Sequence, residues 1–316
     1  MVMNNALVPM PFAPVVRANK SAALVVSFLA GRNERTLRAY RADLEDFRSF
    51  LKAEDAEEAA RILLSQGHGE ANALALAYRA DLAGRKLQAA TINRRLAAVR
   101  SLVKLARTLG MIPWSLEVGN LKSQSYRDTR GPGRQGFRRL MEEAGSRTDG
   151  KAFRDRAVLR LLHDLALRRA EVTGLDLEDV DIKAGTVTIL GKGRTQKERL
   201  TLPEPTKAAL AAWIDIRGTE PGPLFRNYDR GGKGGTRLTG TGLYLMVRGL
   251  GNKAGLTIRP HGLRHAGITE ALDLTNGNIR MVQRYSRHRD MRILNLYDDN
   301  RTDLGGDVAR LVAANA

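Results

Sequence analysis

The sequence predicts a mainly α-helical chain with one small antiparallel β-sheet, divided into a helical N-terminal domain and an α+β C-terminal domain. Three observations predict it. Apolar residues recur at helical spacing from Ser21 to Met111. The periodicity stops between Glu117 and Arg134, where Gly119, Gly131, Pro132 and Gly133 are interspersed with Lys122, Arg127, Arg130 and Arg134. Beyond it, a stretch of β-like alternation from Val180 to Leu202 interrupts further helical runs. With 316 residues, 43% of them hydrophobic, the chain can build two cores of ordinary size.

Charge narrows the partners. A formal charge of +18 and a pI near 10.6 point to a polyanion, nucleic acid before membrane. No segment approaches the ~18 uninterrupted apolar residues of a spanning helix. The opening MVMNNALVPMPFAPVV lacks a basic n-region and is broken by Pro9, Pro11 and Pro14, so residues 1–18 are expected to be a flexible arm rather than a signal peptide. The absence of cysteine excludes disulfides and thiolate metal sites and fits a cytoplasmic protein.

The first domain is expected over residues 19–116. After a capping candidate at Asn33, Leu37, Tyr40, Leu44, Phe47 and Leu51 form one apolar stripe. A polar break from Gln66 to Gly69 leads into a run with Leu74, Tyr78 and Leu82. A further helix starts near Thr91. Its residues Ile92, Leu96, Val99, Val103 and Ala106 leave Arg94, Arg95, Arg100, Lys104 and Arg107 on other faces. Residues 117–134 read as a basic linker able to track phosphates or to act as a plain tether.

The second domain, 135–316, opens with helical runs at Phe137–Ala144 and Phe153–Leu167, the latter closed by Arg168 and Glu171. Val180–Ile182, Thr186–Leu190 and Arg199–Leu202 read as strands with a hairpin turn near Gly193–Gln196. Gly191 and Gly193 bracket Lys192, but the full phosphate-loop pattern is missing, which argues against ATP binding. Helices are expected at Pro203–Ile216, Arg237–Ala254, Pro260–Leu272 and Ile279–Tyr285. A glycine-rich surface turn lies at Asn227–Gly235. Asp307–Val312 forms a short amphipathic piece too small to stand alone.

The chemistry concentrates between Arg259 and Tyr297. Pro260 suits a first helical turn, and His261 and Arg264, three apart, share a face. His288 follows, then Tyr297 nine residues later. An arginine fork matches two phosphate oxygens, histidine shuttles protons near neutrality, and a phenol can be a covalent nucleophile once its proton is removed. No Asp/Glu cluster accompanies these histidines, which disfavours a metal-dependent nuclease.

Five segments in order make the chain resemble the tyrosine recombinase, or phage integrase, family, in its two-domain Xer-like form. Ala166-Leu167-Arg168-Arg169-Ala170-Glu171 is similar to its G-L-R-x-x-E segment. Gly191-Lys192-Gly193-Arg194-Thr195-Gln196-Lys197-Glu198-Arg199 is similar to its G-K-G-x-x-K-E-R hairpin. His261-Gly262-Leu263-Arg264 fits H-x-x-R, and Ser286-Arg287-His288 stands where the family has Leu-Gly-His, with Tyr297 at the family's distance. Two departures are Ala166 for glycine and Ser286-Arg287 for Leu-Gly.

The resemblance implies a SAM-like helical core-binding domain and an α+β catalytic domain. It implies site-specific DNA recombination through a 3′-phosphotyrosine and a Holliday junction, on double-stranded DNA with a specific core site. No cofactor is needed, because the covalent link retains the phosphodiester energy. Tyr297 is the implied nucleophile, Arg168 and Arg264 the phosphate clamp and Lys192 the acid for the leaving 5′ oxygen. His261 is the implied base, His288 the supporting donor and Glu171 the residue orienting Arg168. DNA contacts are expected from Asn93, Arg94, Arg95, Arg100, Lys104, Lys122, Arg130, Arg194, Lys197, Arg199, Arg237 and Arg259. A tetramer joined through C-terminal tails, accessory proteins and association with the nucleoid are further implications. A type IB topoisomerase and a catalytically silent DNA-binding regulator are the alternatives.

Overall fold

The computed structural model describes residues 20–30, 34–122, 131–191, 196–228, 235–294 and 304–314. The N-terminal arm and the expectations placed on Asn33, Arg127, Arg130, Lys192, Arg194 and Tyr297 lie outside them. Two compact units are present, Met1–Tyr126 and Arg127–Ala316.

The first unit contains α1 (Lys20–Leu29), α2 (Glu34–Leu51), α3 (Ala56–Leu64), α4 (His68–Gly84) and α5 (Ala89–Thr108). Their stripes meet in one core, where Phe28, Phe47, Tyr78, Leu82, Leu96 and Val99 are buried. Asp55 caps α3 by accepting from the Glu58 N–H, and Gly67 precedes α4 at the polar break. Inside the unit, Asp46 accepts from the Tyr78 hydroxyl at 2.7 Å and pairs with Arg95 at 2.9 Å. The chain after α5 returns to this core: Ile112 and Val118 are buried, and Leu121 packs against it. Asn93 fastens Leu121 through both main-chain groups, at 2.9 and 2.8 Å, and Arg100 donates to the Val118 carbonyl at 2.6 Å. The irregular segment is thus bound to the first unit as far as Leu121.

The second unit runs α6 (Gly133–Gly145), α7 (Gly150–Asp164), α8 (Arg169–Thr173), β1 (Val180–Asp181), β2 (Thr186–Leu190), β3 (Lys197–Thr201), α9 (Glu204–Arg217), α10 (Gly240–Lys253), α11 (Pro260–Leu274), α12 (Ile279–Ser286) and α13 (Leu304–Ala314). The strands form one antiparallel sheet in the order β1-β2-β3, with Val180 opposite Val187 and Ile189 opposite Glu198. Alternation along β2 sends Val187 and Ile189 into the core. Helix α7 is the centre of the unit: Ala157, Val158, Leu159, Leu161 and Leu162 are fully buried among α6, α9 and α11. Asp149, Thr239 and Asn278 cap α7, α10 and α12 with side-chain acceptors.

Two expectations about helix ends are corrected. The run predicted to continue from Phe153 through Leu167 ends at Asp164. Leu165, Ala166 and Leu167 leave the helix axis, Ala166 takes φ +45°, and Arg168 begins α8 rather than closing α7. The apolar residues there are buried in a turn, which helical periodicity cannot distinguish from helix. Arg237 precedes α10 in a bridge to Arg226 instead of opening the helix.

One close approach sets how α11 lies on α7. A Cβ on Gly267 would stand 2.2 Å from the His163 carbonyl oxygen, so the two backbones touch where only glycine fits. Gly267→Ala is expected to lower the unfolding free energy of the second unit by about 1–3 kcal/mol, read from the urea midpoint of that unit.

Candidate active site

The turn after α7 and the C-terminus of α12 are brought together by arginines. Arg264, on the buried face of α11 and 1% exposed, donates through Nη1 to the Ala166 carbonyl and through Nη2 to the Ser286 carbonyl. Its Nη2 also lies 3.4 Å from His288 Nε2. Arg168, at the start of α8, donates through Nη2 to the Arg287 carbonyl at 3.5 Å. Both guanidinium groups therefore touch the segment Ser286–His288, although they are 96 positions apart in the chain (264 − 168).

Glu171 holds Arg168 in two ways. Its Oε2 accepts from the Arg168 backbone N–H and its Oε1 from Arg168 Nη1, each at 2.8 Å. Burial pushes the Glu171 carboxyl up, but these hydrogen bonds, with the charges of Arg287 and Arg168, hold it below the usual carboxylate range. Glu171 is accordingly an anion, and its side chain is 2% exposed.

Burial, followed by the charges of Arg264, Arg168, His261 and Arg287, pushes His288 down to about 4. At neutral pH it is an uncharged imidazole able to donate or accept. His261 is exposed in the first turn of α11, its ring 4.0 Å from that of His265. Sequence reasoning missed the buried His265; its signal was the helical spacing of four from His261. It also missed Tyr285, whose hydroxyl donates to the His163 and Asp164 carbonyls at 2.8 and 3.2 Å and ties α12 to the end of α7. Burial and the Asp164 charge push that hydroxyl well above its ordinary value, so Tyr285 remains a protonated structural donor.

Structure and sequence comparison then agree. Residues 135–303 match the phage integrase family, and residues 27–109 match its N-terminal SAM-like domain. A tyrosine recombinase of Synechocystis sp. is 39% identical over 290 residues, 89% of this chain and 91% of the relative. The chain belongs to the phage integrase family.

A tyrosine recombinase of Synechococcus elongatus is likewise 39% identical, over 89% of this chain and 90% of its own. The fold resembles that of XerH site-specific recombinase bound to palindromic difH substrate in a post-cleavage complex, with a TM-score of 0.64, 19% identity, and 88% and 80% of the two chains covered. It also resembles a lambda integrase dimer bound to a COC′ core site, at a TM-score of 0.65, 14% identity, and 89% and 77% coverage. The protein is a site-specific DNA recombinase, and no described helix is long and apolar enough to cross a membrane.

The residues expected on the DNA divide into two groups. Asn93 and Arg100 hold the Val118–Leu121 segment, Arg95 pairs with Asp46, and Arg237 donates to the Thr173 and Leu175 carbonyls, each at 3.0 Å, and to Asp176. Their polar groups are engaged inside the recombinase, which the charge count alone could not reveal. Lys104, Lys122, Arg199 and Arg259 are exposed. So are Arg94, paired with Asp43, and Lys197, paired with Asp179.

The depressed His288 value has a definite sign. The unfolded state takes up a proton first as pH falls, so the stability due to neutral His288 is fully present above 6.5 and is lost toward about 4. In an imidazole NMR titration of the DNA-free recombinase, His288 is expected to titrate near 4 rather than 6.5, and Arg168→Ala to move it upward.

Proposed function

We propose that this recombinase cuts DNA by attack of Tyr297 on a scissile phosphodiester. The phenolic oxygen bonds to phosphorus, the bond to the 5′ oxygen breaks, and a 3′-phosphotyrosine and a free 5′ hydroxyl result. Arg168 and Arg264 clamp the non-bridging oxygens, where their forked donors meet the spreading charge. Neutral His288 adds a hydrogen bond, His261 accepts the phenolic proton, and Lys192 protonates the leaving 5′ oxygen. Reversal by another strand's 5′ hydroxyl rejoins DNA with the bond energy retained, so neither ATP nor metal enters.

The observation that carries this reading is the convergence of Arg168 and Arg264 on the Ser286–His288 segment. Leu294 supports the nucleophile assignment. It is fully buried in a cluster with Ala166, Ile268 and Val282 and precedes Tyr297 by three positions, while Tyr285 is committed to main-chain carbonyls.

Exposed Arg94, Lys104, Lys122, Lys197, Arg199 and Arg259 are the DNA contacts we favour, with Arg130 and Arg194 beside them in sequence. Asn93, Arg95, Arg100 and Arg237 shape the surfaces that present them. Leu311 and Val312 on α13 are each 64% exposed, and we read them as the apolar face that docks on another copy in a DNA-bound tetramer.

With a nicked suicide duplex carrying the core site mapped by footprinting, wild type is expected to form a covalent adduct, insensitive to EDTA. Tyr297→Phe is expected to bind the duplex with unchanged affinity and form none. A normal adduct from that variant would refute the assignment.

A further inference from the structure

Ala166 and Arg287, which each stand where the family pattern has glycine, both lie in left-handed backbone and touch each other. Ala166 has φ +45°, and Arg287, the C-cap of α12, has φ +57°. Glycine adopts this conformation without strain, and a residue carrying a Cβ does not. At position 287 the side chain supplies the reason for its presence. Its guanidinium turns back into the protein, 5% exposed, and donates to the carbonyls of Leu165 at 3.2 Å, Tyr285 at 3.0 Å and Ala166 at 3.2 Å. Nη2 also reaches Glu171 Oε2 at 3.3 Å.

These contacts change the electrostatics of Arg168. Glu171 and Arg168 alone would form a neutral pair, its carboxylate cancelling much of the field that a phosphate meets. With Arg287 on the other side of the same carboxylate, one anion serves two cations and the group retains a net positive charge. The Arg287 side chain is buried, whereas that of Arg168 is 29% exposed, so Arg168 faces the substrate and Arg287 stands behind it. Arg287 also joins Arg264 on the Ala166 carbonyl, so the turn leading into Arg168 is held by two guanidinium groups.

We propose that Arg287 is a positioning residue for DNA cleavage, sharing Glu171 with Arg168 and pinning the Ala166 turn so that Arg168 meets the phosphate correctly aimed and with its charge uncancelled. This rests on the reading that Arg168 and Arg264 bind the scissile phosphate. Its effect falls on the transition state, where charge on phosphorus-bound oxygens develops, more than on duplex affinity, to which many exposed cations contribute.

The test compares the full-length wild type with Arg287→Gly and Arg287→Lys in single-turnover cleavage of the nicked duplex, with duplex affinity measured in parallel. Glycine accepts φ +57° and lysine restores charge without the fork. Arg287→Gly is expected to cleave on the order of tenfold more slowly with affinity changed by less than about twofold, and Arg287→Lys to fall between it and wild type. Wild-type cleavage by Arg287→Gly overturns the inference, as does a rate loss matched by an equal loss of affinity. Should Arg287→Gly fail to fold, Arg287→Lys decides by the same split of rate against affinity. A wild type that forms no adduct would instead undo the reading of the site itself.

Discussion

The site depends on one buried guanidinium. Arg264 is withdrawn from water, which costs several kcal/mol for an ion of this kind. Hydrogen bonds to the carbonyl oxygens of Ala166 and Ser286 offset part of that cost with their dipoles. The same two bonds join the turn after α7 to the end of α12, segments about 120 positions apart in sequence. One side chain therefore fixes how the backbone around the site is arranged.

The character of the neighbouring groups follows from that cation. Burial, followed by the charges of Arg264 3.4 Å away, Arg168 and His261, opposes protonation, so His288 is neutral near pH 7. In the proposed cleavage it donates a hydrogen bond to a phosphate oxygen without competing for the charge the arginines neutralise. The phenol nearest in sequence to His288, Tyr285, is removed from consideration by its environment: its proton is engaged by two carbonyls and burial opposes its loss. Leu294, three positions before the proposed nucleophile, is packed beside Ala166.

Much of this was legible in the sequence, and the remainder was hidden for identifiable reasons. Stripes such as Leu44 with Phe47, and Ile92 with Leu96 and Val99, announced the helices they form, because amphipathic periodicity reports a face that must be buried. The alternation of Val187 and Ile189 likewise announced β2. Leu165-Ala166-Leu167 misled because three buried apolar residues look the same in a turn as in a helix, and a left-handed alanine leaves no mark on the pattern. In the site, Arg168, Glu171, Arg264 and His288 stood out through their spacing. Arg287 did not, since what gives it meaning is a set of contacts to residues 116 to 122 positions away.

The same blindness affects the reading of charge. A formal +18 identifies the class of partner, because it sums over the whole chain, but it assigns no face to any cation. Counterion release on DNA binding depends only on cations that neutralise phosphates. Arg95 is paired with Asp46 and Arg154 with Asp155 within the fold, and Arg237 is held by carbonyls and Asp176. Removing any of these would weaken the surface that presents the exposed lysines and arginines without deleting a phosphate contact. Arg287 carries this division to its limit, as a cation buried behind the site that acts on DNA only through the carboxylate and the turn it holds.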